Sequence, residues 1–234
     1  FFFFGNSKKN MSLPKKPLSP RQSSTDIIED PNQIWNDKEL KSLRDWIYGI
    51  CLVDFDLSEG QITKFCYPFD ILSNKEKTNI ANLGFPDTHS SDTDMIETQF
   101  CFRFRSKADP KDTFVDEPKL KYLSYILRLK KNIPYLFGYV HFRQRKDSNI
   151  ERGYFQKSIV IITDLPYHNV FIECVKIIGN LYFDHGHKIL QSACKNIATW
   201  QSPLKYGNVN LPILGNVIRA VLTSHHYHLP HVTP

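Results

Sequence analysis

From residue 46 onward the chain alternates short apolar runs with polar, turn-rich stretches. Trp46–Phe55 (WIYGICLVDF) is mostly apolar, with aromatic and β-branched members, and predicts a buried strand. A short turn, Asp56 to Gly60, leads to Gln61–Tyr67 (QITKFCY). That spacing predicts a hairpin, which Pro68 ends. In LSNKEKTNIANLGFPD, Ser73 and Glu76 form a capping box in which each side chain satisfies a free backbone N–H. Gly84 and Pro86 stop the helix that follows. Thr98–Arg105 (TQFCFRFR) alternates, with Phe100, Phe102 and Phe104 on one side and Gln99, Cys101, Arg103 and Arg105 on the other.

Residues 106–118 read as a polar loop, and 119–131 carry weak helical spacing. Tyr135–Gln144 and Gly153–Thr163 predict two more strands. Pro166 opens a helix with Val170, Phe171, Cys174, Val175, Ile178, Leu181 and Tyr182 on its apolar stripe. His187–Thr199 predicts a second, on Ile189, Leu190, Ala193, Cys194 and Ile197. Residues 203–218 (PLKYGNVNLPILGNVI) read as loop, then a short apolar extended run. The order ββαβββαα predicts an α+β fold, a five-stranded, mainly antiparallel sheet layered with helices. There are no internal repeats.

The net charge of +6 invites a nucleic-acid or membrane reading, and its location weakens it. Residues 1–25 hold Lys8, Lys9, Lys15, Lys16 and Arg21 and no acid, leaving 25 basic and 24 acidic groups in the remainder. The excess sits on a Pro/Ser/Lys-rich stretch that buries too little apolar surface to order itself. Residues 1–43 are therefore expected to be a disordered basic tail. Phe1–Asn10 is expected to be an artefact ahead of a start at Met11, because FFFFGN lacks the layout of a signal peptide. Five cysteines without a CxxC pair suggest neither a zinc site nor a disulfide framework, and fit a reducing, cytoplasmic setting. No apolar run approaches the ~18 residues of a transmembrane helix.

Motifs of covalent chemistry are missing. No phosphate loop, glycine-rich nucleotide turn, GxSxG elbow or HExxH occurs. No cofactor or metal is expected. His225, His226, His228 and His231 lie in a proline-broken segment that fixes no ligand geometry. One strand mimics a binding motif: Phe137-Gly138-Tyr139-Val140-His141-Phe142 fits the core of the RNA-stacking strand of recognition domains. The full motif opens Lys/Arg-Gly where this chain has Tyr135-Leu136, and its domain runs βαββαβ, whereas this chain opens on a hairpin. The aromatics are thus expected to fill a core.

The strand order is that of a longin-like module, and the residues go further. DWIYGICLVDFDLSEGQ, LSNKEKTNIANLGFPD, ETQFCFRFR, YLFGYVHFRQRKD, RGYFQKSIVIIT, LPY and LPILG resemble, in order and spacing, the N-terminal part of the DENN domain-containing protein 6 family. The resemblance runs from Trp46 to Ile218, with a weak interval at 107–131. It implies a longin-like (uDENN) module at 44–218, a non-family tail at 219–234, and a chain truncated ahead of a central DENN module. It also implies a guanine nucleotide exchange factor for a Rab-family GTPase in endosomal traffic, peripheral on recycling endosome membranes. Its partners would be the GTPase and the central DENN module, with no nucleic acid. A trafficking scaffold that only binds partners is the alternative, and RNA binding a distant third. Arg103, Arg105, Arg143 and Arg145 lie toward the ends of neighbouring strands and are candidate contacts for an acidic partner surface. The alternative is that they are solvated strand ends that discourage edge pairing.

Overall fold

The computed structural model describes residues 35–68, 71–86, 95–106, 134–150, 153–203 and 207–222. Its elements are α1 (Asp37–Trp46), β1 (Gly49–Asp56), β2 (Gly60–Tyr67), α2 (Asn74–Leu83), β3 (Met95–Arg105), β4 (Tyr135–Lys146), β5 (Tyr154–Thr163), α3 (His168–His185), α4 (Lys188–Ala198), β6 (Gly207–Ile213) and β7 (Asn216–Leu222). Five strands form one sheet in the order β2-β1-β5-β4-β3, and every neighbouring pair is antiparallel. The architecture is the α+β, longin-like fold expected from the sequence.

The topology follows from the connections. The β1–β2 hairpin and the β3–β4–β5 meander are joined through β1 and β5 at the centre of the sheet. The segment carrying α2 crosses from one edge strand to the other. Central strands are covered on both faces, so β5 reads as a continuous apolar run and Ile159, Val160, Ile161 and Ile162 are all fully buried.

On one face lies α2. Its predicted capping box is present: the Ser73 N–H donates to Glu76 Oε2 at 3.0 Å and the Glu76 N–H to Ser73 Oγ at 3.3 Å. Glu76 is fully buried and also accepts from Ser106 Oγ at 3.4 Å, which ties the helix start to the end of β3. Ser158 Oγ donates to the Gly84 carbonyl at 2.6 Å, fixing the helix end to β5. On the same face Phe102 stands opposite Gly138 in the β3–β4 ladder, and its ring lies in the space a side chain would occupy there. A Cβ on Gly138 would fall 2.3 Å from Phe102 Cζ. Gly138→Ala is therefore expected to cost about 1–3 kcal/mol through displacement of that ring, read as a lower urea midpoint at unchanged slope.

The other face carries α3, with α4 and α1 beyond it. The α3 stripe is buried as the 3.6-residue period predicts, at Val170, Phe171, Cys174, Val175, Ile178 and Tyr182. Leu181 is only half-buried, and Gly179 takes the place against the sheet, because a Cβ there would lie 2.4 Å from the His141 ring. Within α4, Leu190, Ala193, Cys194 and Ile197 are buried as expected.

The sequence reading needs correction at both ends. Residues 37–43, assigned to the disordered tail, belong to α1, and Trp46 closes that helix instead of opening a strand. The signal was present: Asn36 and Glu39 form a capping box, and Leu40, Leu43 and Trp46 follow at helical spacing. Residues 219–222, assigned to the C-terminal tail, complete β7, and the run read as loop plus one extended segment is the hairpin β6–β7. The spacing at 119–131 and His225, His226, His228 and His231 lie outside the described residues.

A cationic and aromatic surface as candidate partner-binding site

The register of β3 on β4 decides how the four predicted arginines sit. Arg105 faces Tyr135 and Arg103 faces Phe137, while Glu97 faces Arg143 and Met95 faces Arg145. All four occupy the α3 face of the sheet, in two pairs at opposite ends of the ladder. Arg143 lies six positions along β4 from Phe137, about 20 Å at 3.4 Å per residue. The strands are neighbours, but their antiparallel run parts the pairs. Helix α3 lies between them, with Phe171 stacked on Tyr139 and Asn180 reaching Arg143.

The members are not equivalent. Arg143 is half-buried and committed: its Nη2 lies 2.9 Å from Glu97 Oε2 and donates to Asn180 Oδ1 at 2.8 Å, and its guanidinium sits 4.6 Å over the Phe183 ring. It clamps α3 to the sheet. Arg145 is exposed, 5.1 Å over Phe155, beside the exposed Met95. Arg103 and Arg105 are exposed and share Tyr135, at 4.7 and 6.0 Å from its ring centre. Among the described residues, Arg103, Arg105 and Arg145 have no carboxylate partner.

At the Arg143 end a chain of ion pairs crosses the sheet. Glu97, Arg143, Lys157 and Asp54 follow one another across β3, β4, β5 and β1. Lys157 Nζ and Lys64 Nζ lie 2.7 and 2.8 Å from Asp54 Oδ2. The register slips in β2 opposite Leu52 and Val53, which makes Lys64 the extra residue of a bulge and turns it toward Asp54. Burial alone would push the Asp54 carboxyl up, but the hydrogen bonds from Lys157 and Lys64 outweigh it and hold it below the usual carboxylate range.

A cleft of about 630 Å³ lies between the first turn of α3 and the β6–β7 ribbon, linked to the Arg103 end through His168. His168 joins the two regions. It lines the cleft and packs edge-on against Phe137 and Tyr139, with ring centres 6.4 and 5.5 Å apart. Asn208, Asn210 and Arg219 line the opposite wall, and the described lining holds no carboxylate. The sequence reading missed Arg219, which it had placed in the tail. The run Val217, Ile218, Ala220, Val221 and Leu222, apolar and partly β-branched, was the available signal for a strand. The end as a whole offers guanidinium, ring and amide groups to an anionic surface.

The RNA-like strand is closed to bases. Tyr139 and His141 are fully buried beneath α3, and Val140 and Phe142 on the opposite face. No group of three or more His, Cys, Asp or Glu with metal-binding geometry occurs among the described residues. Among them, no helix is long and apolar enough to cross a membrane.

Strand order and helix placement define a longin-like module. The family described as Transport protein Avl9 matches residues 47–209. Protein DENND6A of Mus musculus is 39% identical over 185 residues, covering 77% of this chain and 30% of the relative. Protein DENND6B of Homo sapiens is 36% identical over 180 residues (76% and 30%), and Protein DENND6 homolog of Dictyostelium discoideum 34% over 215 residues (92% and 26%). The chain belongs to the transport protein Avl9 family, as a member of the DENN domain-containing protein 6 group of DENN-family trafficking proteins. It spans about 30% of the length of the DENND6A and DENND6B relatives.

Proposed function

We propose that this chain is the N-terminal, longin-like part of a guanine nucleotide exchange factor. In this reading it promotes GDP release from a Rab-family GTPase at recycling endosome membranes, together with a central DENN module. Family membership supports the reading, and one structural observation carries the assignment of the surface. Arg103 and Arg105 stand exposed on Tyr135 without a carboxylate of their own among the described residues, beside a cleft whose described lining is free of acids. Their charge is not spent inside the fold, as that of Arg143 is. An exchange factor needs no nucleophile or metal. It binds the nucleotide-free GTPase more tightly than the GDP-bound form and shifts the equilibrium toward release.

The test is release of labelled GDP from a panel of Rab proteins by the full-length protein, with and without Arg103→Glu/Arg105→Glu. Wild-type protein is expected to accelerate release from one or a few members. The double reversal should reduce that acceleration by about tenfold or more, a factor worth ~1.4 kcal/mol. Thermal stability should be unchanged, because both side chains are exposed. Acceleration of none of the panel would end the exchange reading in favour of a scaffold. An unaffected double variant would move the contact elsewhere.

A further inference from the structure

We infer that Cys51 and Cys66 are a modification site: on exposure to a hydroperoxide they close into a reversible disulfide across β1 and β2. The two residues are direct partners in this antiparallel ladder. Directly opposed residues project from the same face, with Cα atoms ~4.5 or ~5.5 Å apart according to the pair type. Either spacing lies inside the range of about 4.4–6.8 Å over which a disulfide closes without moving the backbone. Neither is in a disulfide.

The Cys66 sulfur must turn to close the bridge. A Cβ built on Gly49 would fall 2.5 Å from Cys66 Sγ, so the thiol lies over the glycine two residues before Cys51 on the same face. A change of staggered χ1 rotamer is the movement that redirects it toward Cys51. Cys66 is also the reachable partner. It is 5% exposed and sits next to the last residue of β2, an edge strand of the five-stranded sheet, where fraying costs least.

None of the other three cysteines has this relation. Cys101 is exposed but faces Tyr139 across the ladder. Cys174 and Cys194 lie on different helices at full burial, which pushes both thiols well up and suppresses the reactive thiolate. Cys194 lies near enough to Cys66 for that thiol's charge to add to its rise, but it sits on α4 and not across the ladder.

The chemistry balances with the peroxide as oxidant. The Cys66 thiolate attacks one peroxide oxygen, the O–O bond breaks, and Cys66 becomes a sulfenic acid as hydroxide leaves and is protonated to water. The Cys51 sulfur then displaces the sulfenic oxygen, which departs as a second water, and the S–S bond forms. The two thiols together lose two electrons and two protons. A dithiol reductant reverses the step by exchange.

The experiment uses the full 234-residue chain. Folded, reduced protein is treated with hydrogen peroxide, quenched in acid, denatured, alkylated and digested with trypsin without reduction. Cleavage after Arg44, Lys64 and Lys75 places Cys51 in peptide 45–64 and Cys66 in peptide 65–75. The expected result is a linked 45–64/65–75 species, lighter than the two peptides by two hydrogen atoms. Dithiothreitol should remove it, and Cys66→Ser should abolish it. The oxidised chain should melt several degrees higher, because the bridge restrains the unfolded state. The link is read directly in wild-type protein, so the outcome stands even if the serine variant does not fold. Alkylated, unlinked Cys51 and Cys66 under conditions that oxidise Cys101 would overturn the inference. So would a Cys66 bridge to any other cysteine.

Discussion

Trp46→Ala is expected to destabilise the module by about 4 kcal/mol, the usual range for removing a buried tryptophan. Trp46 is fully buried where α1 meets α3 and the chain after α4. Its ring lies edge-on to Trp200 at 5.1 Å and to Phe171 at 6.4 Å, and tilted against Tyr167 at 6.2 Å. Its indole N–H donates to the Gln201 carbonyl at 2.9 Å. Truncation leaves a cavity among three rings and removes the indole hydrogen bond to Gln201. Against a total stability of ~5–15 kcal/mol, such a loss leaves a substantial unfolded population under mild heating. Urea denaturation is the check: the midpoint falls at unchanged slope, and Trp46→Phe recovers most of the ring packing. A loss below ~1 kcal/mol would mean that this cluster does not hold α1 in place.

Acid is expected to weaken the fold through His141 as pH falls below about 6.5. His141 is fully buried against Gly179 of α3, with Nδ1 3.0 Å from Gln99 Nε2 and Nε2 3.6 Å from Glu97 Oε1. With Gln99 donating to Nδ1, the ring proton sits on Nε2. Burial pushes the imidazole down, the Glu97 carboxylate opposes this in part, and Arg143 and Lys176 add to it, leaving the pKa at about 4 against an ordinary 6.5. The contact with Glu97 is therefore that of a neutral imidazole N–H near a carboxylate, not an ion pair.

The sign follows. Between the two values the unfolded chain holds a proton that the folded chain does not, so this stability is complete above pH 6.5 and falls as pH drops toward 4. The loss amounts to roughly 3 kcal/mol. Urea midpoints from pH 7.5 to 4 should show this slope in wild-type protein, and His141→Gln should flatten it. Asp54 is held below its ordinary value of 3.8, so its contribution disappears only at lower pH. Equal slopes in the two proteins would remove His141 as the cause.

The candidate site was legible only in part. Arg103, Arg105, Arg143 and Arg145 could be picked out as basic residues at strand ends, because alternation along a strand is a local property. Whether an arginine is free depends on what another strand and helix place beside it. Glu97 lies 46 residues from Arg143 in sequence and Asn180 lies 37 away, and together they occupy its guanidinium. Arg219 and His168 meet at one cleft only because the β6–β7 ribbon folds back near the start of α3.

The sequence alone determined the elements whose signal is short-range. The Ser73/Glu76 box, the alternation of β3 and the stripes of α3 and α4 each arise within a few residues, and the structure has them where the pattern put them. Helix α1 was equally local, but the apolar run beginning at Trp46 outweighed its polar body in the reading.

Tertiary structure alone decided the rest. Leu214 and Gly215 make the β6–β7 turn with φ of 47° and 78°, a left-handed conformation that costs a leucine about 1–2 kcal/mol. No local rule selects leucine there. It is held because its N–H donates to Asn196 Oδ1 of α4 at 2.8 Å while the side chain packs on the core. In the same way Gly138 and Gly179 mark no turn. They are glycines because Phe102 and the His141 ring need the space. Short-range patterning sets what each segment becomes, and contacts between distant segments set which side chains are spent inside the fold and which remain for a partner.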